Sequence, residues 1–224
     1  MPSNLEDIVP NPAPLALIEL VPASRVFYAT PNSADAETEL RTGDTLMNTK
    51  DIVYIALFAA LTAALGLMPP ISFAGLGLPP ITAQSLGVML AGAVLGAKRG
   101  GLALLLFIVL VAVGLPLLAG GRGGFGVLLG TSGGFLLAWP VCAFIIGYLV
   151  HKNADANIWV TGGLIAFGGI LVMYTIGIPW MAFVGNLGLN KALGIMVAYV
   201  PGDLVKVVLA TVIARGLRRA YPNL

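Results

Sequence analysis

"GTSGGFLLAWPVCAFIIGYLVHK", residues 130–152, carries no Asp, Glu, Lys or Arg before Lys152. About 20 apolar residues in a row are what a helix needs to cross the hydrocarbon of a bilayer. Residues 130–150 are therefore expected to span. Five more stretches share the same pattern: 51–67, 81–95, 101–118, 158–178 and 201–217, the second being short unless the loop before it contributes. The whole chain agrees: 58% of its 224 residues are apolar and 10% charged, against about 25% charged in ordinary soluble domains. Mean hydropathy is +0.95. The expected fold is an all-α integral membrane protein, with six transmembrane helices over residues 47–224.

Residues 1–46 differ. They hold seven acidic and two basic side chains, net −5, whereas 47–224 hold three acidic and ten basic, net +7. Their best apolar stretch, "LALIEL" (15–20), is too short to span, and no basic segment precedes an apolar core as in a secretory signal. Two readings stand: a disordered N-terminal extension, or a biological start at Met47, where "MNTKDIVYIALFAALTAALGL" begins.

The loops carry Gly and Pro, as in "MPPISFAGLGLPP" (68–80) and "AGGRGG" (119–124). The longer connection 179–200 is expected to hold a short helix around Lys191–Ala198. Lys and Arg orient the chain. Lys50, Lys98, Arg99, Lys152, Arg215, Arg218 and Arg219 fall on one side; Arg122 and Lys191 fall on the other. Positive charge accumulates on the cytoplasmic side of membrane proteins, so both termini are expected there. The basic groups form no stripe, which excludes nucleic acid as a partner.

Against this background Asp203 and Lys206 stand out at the head of the last span, in "PGDLVK" (201–206). Three residues apart, they share one helical face. Charges inside membrane segments cost about 2.5–3.5 kcal/mol each at the centre and usually mark function. The alternative is an interfacial pair that reaches for headgroups. Arg122, and more peripherally Lys191, lie on the same outer side. Two cations and a carboxylate on one face suit a small acid that also has N–H donors.

Catalysis is not expected. The one histidine, His151, lies in a cytoplasmic loop beside Lys152, and Cys142 reads as a buried small hydrophobe. No embedded His, Cys or carboxylate pair suggests hydrolysis or a metal site. No Gly-Lys-Ser/Thr cradle for phosphate occurs. No cofactor is expected.

Three ordered segments, "PPITAQSLGVMLAGAVLGAKRG" (79–100), "GLPLLAGGRGGFGVLLGTSGGFLLAWP" (114–140) and "PGDLVK", together resemble the BioY family. These are the biotin-specific substrate-binding, or S, components of energy-coupling factor (ECF) transporters. The resemblance covers 47–224. It implies an S-component fold in the bacterial cell (inner or plasma) membrane and biotin captured from the outer face. It also implies coupling to a transmembrane T component and ABC-type ATPases. The family's Gly-Pro-Thr-Gly-Gly-Tyr stands here as Gly130, Thr131, Ser132, Gly133, Gly134, Phe135, and its Thr-Leu-Gln-Thr as Thr82, Ala83, Gln84, Ser85. An S component for another small vitamin would keep the helices and change the outer polar set.

Biotin offers a carboxylate, a ureido ring with two N–H groups and a carbonyl, and an apolar sulfur ring. Asp203 can accept from the ureido N–H groups, and Lys206 and Arg122 can donate to the carbonyl or the carboxylate. Which cation takes which end is open. Gln84 adds a neutral donor and acceptor, or simply starts a helix. Tyr174 and Trp180 can wall the ring system, or anchor at the interface. The glycines of 119–124 form either a plain outer turn or a lid that closes over the ligand. Finally, Ala56, Ala60 and Ala64 recur at intervals of four, a spacing that admits a second helix closely. Packing within the chain is one use of it. Docking of the T component is the use that the resemblance implies.

Overall fold

The structure, a computed structural model, describes residues 47–70 and 80–220. The expected extension over 1–46 and most of the loop 68–80 lie outside these. The described residues are helical, with no strand and one isolated bridge between Leu118 and Arg122. In chain order the helices are α1 (Thr49–Leu65), α2 (Gln84–Leu95), α3 (Ala97–Val113), α4 (Phe125–Leu129), α5 (Gly133–Lys152), α6 (Ile158–Ala166), a π-helical segment (Phe167–Val172), α7 (Met173–Val184), α8 (Leu189–Val197) and α9 (Val200–Ala220).

A helix lies in each of the six stretches expected to span, and α8 falls where a short helix is expected. By length and composition, two helices suffice to cross a membrane. These are α5, with 20 residues and mean hydropathy 2.0, and the continuous rod Ile158–Val184, with 27 residues and mean hydropathy 1.8. The pair α8 and α9, bent by 54°, counts as a third if it is one span.

The boundaries move for local reasons. Gly96, at φ 85°, caps both α2 and α3 and reverses the chain alone, so "AKRG" is the first turn of α3 where a loop is expected. Only glycine takes that φ without strain. At the other end Gly114, at φ 117°, stops α3 at Val113. Residues 115–118, expected inside the span, become loop.

Helix α5 sits at the centre and packs against α2, α3 and α7, burying Trp139, Cys142, Ala143 and Ile146. Membrane helices gain little from the hydrophobic effect against each other, so they rely on close backbone approach at small residues. A Cβ on Gly92 would lie 2.5 Å from the Ala143 carbonyl oxygen, and one on Gly147 only 2.3 Å from the Gly96 carbonyl carbon. Nothing larger fits there.

Contacts fix which helix ends lie together. Asp51, in the first turn of α1, pairs with Arg99 of α3 at 2.7 Å. Arg218 of α9 donates to the Ala93 carbonyl of α2 at 3.1 Å and meets the His151 ring of α5 at 2.9 Å. Lys98, Arg99, Lys152, Arg215, Arg218 and Arg219 therefore share one end of the bundle. Asp203, Lys206 and the 114–124 loop occupy the other.

Gly147→Leu must push α5 off the turn between α2 and α3, an overpacking worth about 1–3 kcal/mol. Its melting midpoint in detergent should fall. Gly163→Ala, where a Cβ meets nothing within 4 Å, should match the wild type or exceed it, since alanine favours a helix by about 1 kcal/mol over glycine.

Candidate binding site

Helix α9 enters with Pro201 in its first turn, a position that needs no hydrogen-bonded N–H. This places Asp203 and Lys206 one turn in, facing the bundle. Their side chains are 11% and 13% exposed. Charges so buried need partners, and each has them. Lys206 Nζ donates to Asp203 Oδ1 at 2.9 Å and to Ser85 Oγ of α2 at 2.8 Å. The Tyr174 hydroxyl of α7 donates to Asp203 Oδ2 at 2.6 Å. The pair thus joins three helices.

Both groups keep unused hydrogen-bonding capacity. A carboxylate has about four acceptor sites, of which the two protein donors take two. The ammonium has three donors, and two are engaged. Acceptor and donor are left side by side at the floor of a cavity of about 90 Å³, whose wall includes Phe135, Leu136, Trp139, Met173, Met196 and Tyr199. The Phe135 and Tyr174 rings meet edge to face, 6.4 Å between centroids.

Arg122 reaches the same cavity from the Gly-rich loop. Its Nε donates to the Ala119 carbonyl at 3.2 Å, and its backbone pairs with Leu118 in both directions, at 3.0 and 3.2 Å. Gly120, Gly121 and Gly124 all adopt positive φ, between 70° and 90°, which lets the loop fold this tightly. Burial lowers the Arg122 pKa from its ordinary value, and a guanidinium still keeps its proton. No carboxylate among the described residues pairs with it.

Gln84 lines the cavity, yet its amide is engaged elsewhere. Nε2 donates to the carbonyls of Thr62 (3.2 Å) and Leu117 (3.0 Å), and Oε1 accepts from the Ala119 N–H at 2.9 Å. It is 1% exposed. This side chain ties α1 and the Gly-rich loop to α2. Trp180 is not among the cavity residues. Its indole donates to the Gly130 carbonyl at 3.0 Å, and the ring lies against Gly133 and Gly134, where a Cβ would sit 3.1 and 2.5 Å from it.

The structure brings together Asp203, Lys206, Arg122, Tyr174 and Gln84 of the residues expected at the site. Sequence reasoning missed Ser85, Trp139, Met173 and Tyr199. Ser85, a hydroxyl beside Gln84 in an apolar run, carried a readable signal. The aromatic and Met positions look like any buried residue. Ala56, Ala60 and Ala64 are all exposed on the outer surface of α1, and Lys191 is exposed on α8.

A sequence model of the BioY family matches residues 37–223. The chain is 46% identical over 184 residues to the biotin transporter BioY of Rhizobium etli, covering 80% of this chain and 98% of that one. It is equally 46% identical over 184 residues to the biotin transporter BioY of Rhodobacter capsulatus, covering 78% and 96%. Among solved structures it resembles the S-component for biotin from an ECF-type ABC transporter. The TM-score there is 0.73 at 33% identity, with 78% of this chain and 95% of that one covered.

Gln84→Leu keeps the volume and removes all three hydrogen bonds. Each buried backbone group left unpaired costs about 1–3 kcal/mol. Hydrogen exchange at the Ala119 amide should rise at least tenfold, with the helix amides of α5 unchanged. Unaltered protection at Ala119 would show that the loop is held by something else.

Proposed function

This chain belongs to the BioY family, a family of transporters and not of enzymes, and on that premise we propose that it captures biotin as the substrate-binding subunit of an ECF-type transporter. One observation carries the reading: Asp203 and Lys206 are buried as a pair at the floor of a small cavity with an unused acceptor and an unused donor adjacent. A ureido group presents the complementary edge, N–H beside C=O. Asp203 accepts the N–H groups and Lys206 donates to the carbonyl. The valerate carboxylate then points to Arg122, the cavity's cation without a carboxylate partner, where a guanidinium suits a planar anion. The apolar wall of Phe135, Trp139 and Met173 faces the sulfur ring. An S component for another vitamin would need the same fold with a different polar pair at the floor. Gln84 acts through the loop it holds.

The cavity of about 90 Å³ is well below the 300–1,000 Å³ or so that small-ligand pockets span. Biotin enters when the 119–124 loop lifts, the left-handed glycines supplying the hinge. We assign this end of the bundle to the outside. The clustering of Lys98, Arg99, Lys152, Arg215, Arg218 and Arg219 at the opposite end supports cytoplasmic termini and six crossings of a bacterial cell membrane.

The T component docks on α1. Ala56, Ala60 and Ala64 are exposed, so internal packing does not use them, and they form a strip low enough for a second helix to lie close. The ABC-type ATPases act through that partner.

Asp203→Asn keeps the shape but loses a charge-assisted acceptor, worth about 1.5–3 kcal/mol. Isothermal titration with biotin should show roughly ten- to a hundredfold weaker binding, and Lys206→Ala at least as much. Wild-type affinity in both folded variants would remove the pair from the site.

Ala60→Trp should leave biotin affinity unchanged and abolish co-purification with the T component. A parallel loss of both would make the strip an internal seam after all.

A further inference from the structure

Outside the cavity, an open groove runs along α6 and α9 from Leu204 toward the basic end. Its apolar part, about 390 Å³, is floored by Gly162, Gly163 and Ala166 of α6 and walled by Leu204, Val208 and Val212 of α9. Small residues let helices approach closely, and α6 and α9 do touch, a Cβ on Gly162 lying 3.4 Å from Thr211 Oγ1; the groove lies on the outer surface along their contact. The groove continues into a second hollow of about 430 Å³, with Ile158 and Val212 common to both. There the lining turns cationic, with Arg215 and Arg219.

The two arginines are differently committed. Arg215 uses one terminal nitrogen on the Ala156 carbonyl and the Thr161 hydroxyl, which fixes the guanidinium at the groove's end. Arg219 makes no hydrogen bond or ion pair among the described residues. The N-terminus of α6, capped by the Asn157 side chain, adds a positive dipole end. Trp159, 85% exposed beside it, has the amphipathic ring favoured at headgroup depth. Asp155, the one acid of the adjoining loop, pairs with neither arginine.

A greasy trough that ends in two guanidiniums, on the membrane-facing side of a membrane protein, has the shape and charge of one molecule. We propose that this groove is a specific site for an anionic phospholipid, its phosphodiester on Arg215 and Arg219 and one acyl chain between α6 and α9. A zwitterionic lipid of equal chain length brings a compensating ammonium to the arginines and gains less.

The test uses the full chain, purified in detergent, delipidated, and read by native mass spectrometry. With dioleoyl phosphatidylglycerol the wild type should retain one lipid, at least tenfold more than with dioleoyl phosphatidylcholine. Inorganic phosphate in excess should not displace it. Arg219→Glu should cut retention of phosphatidylglycerol about tenfold through the headgroup. Gly163→Phe should do so through the trough, since a Cβ there meets nothing within 4 Å and the ring projects into the groove's space. Biotin affinity should be unchanged in both variants, which certifies their fold. Equal retention of the two lipids, or retention unaffected by either variant, would overturn the proposal. Displacement by phosphate would make this a free-anion site. If Gly163→Phe loses the transporter partner and keeps the lipid, a protein helix and not an acyl chain occupies the groove.

Discussion

Two opposite charges one turn inside α9 constrain much of this molecule. Asp203 and Lys206 cannot sit in an apolar bundle unless each meets partners of the right kind, and those partners come from two other helices. Ser85 has to open α2 at that level, and Tyr174 has to reach the same level from α7. The chain cannot let these helices slide by a turn without stranding a charge. Such an arrangement fixes register where apolar packing alone would tolerate several. It also leaves the polar floor rigid before any ligand arrives, so little ordering is left to be done on binding.

A second constraint is neutral. Gln84 holds three backbone groups from α1 and the Gly-rich loop in one amide, and through Ala119 it sets where Arg122 emerges. The charged floor and the cationic mouth therefore share a support at the start of α2, where Gln84 and Ser85 are adjacent. The π-helical segment is the corresponding device on the far wall. A turn widened by one residue rotates the rest of the rod, and Met173 and Tyr174 are the first residues beyond it. π-bulges are often found at functional sites, and here the rotation brings two consecutive residues to the cavity.

The helices were legible because apolar runs are long and loops are marked by Gly, Pro and charge. Their ends were less so. Gly96 turns the chain without any loop, and a single glycine gives no sign in the sequence that it will do this. The polar residues that line the cavity were legible for a simple reason: Asp203, Lys206 and Arg122 are rare types in an apolar chain. Trp139 and Met173 were not, because a residue that lines a cavity and one that fills a core have the same character. Trp180, outside the cavity lining, shows the opposite ambiguity. An aromatic near the right helix end is as well suited to cover Gly133 and Gly134 as to face a ligand. Gln84 was found for its polarity, but only three-dimensional neighbours reveal that its amide serves the protein's own backbone.

The small cavity has a kinetic side. A site that must open before it fills presents its competent form for only a fraction of the time. Observed affinity is weakened by that fraction, so a form open about 1% of the time binds about a hundredfold more weakly than its contacts alone would give. On the proposed closure of the loop, release would wait on the loop as well as on the hydrogen bonds. A scavenger of a scarce nutrient gains from this exchange. Slower capture is exchanged for a longer residence time of the ligand. On the proposed opening of the 119–124 loop, its left-handed glycines would act as a timer.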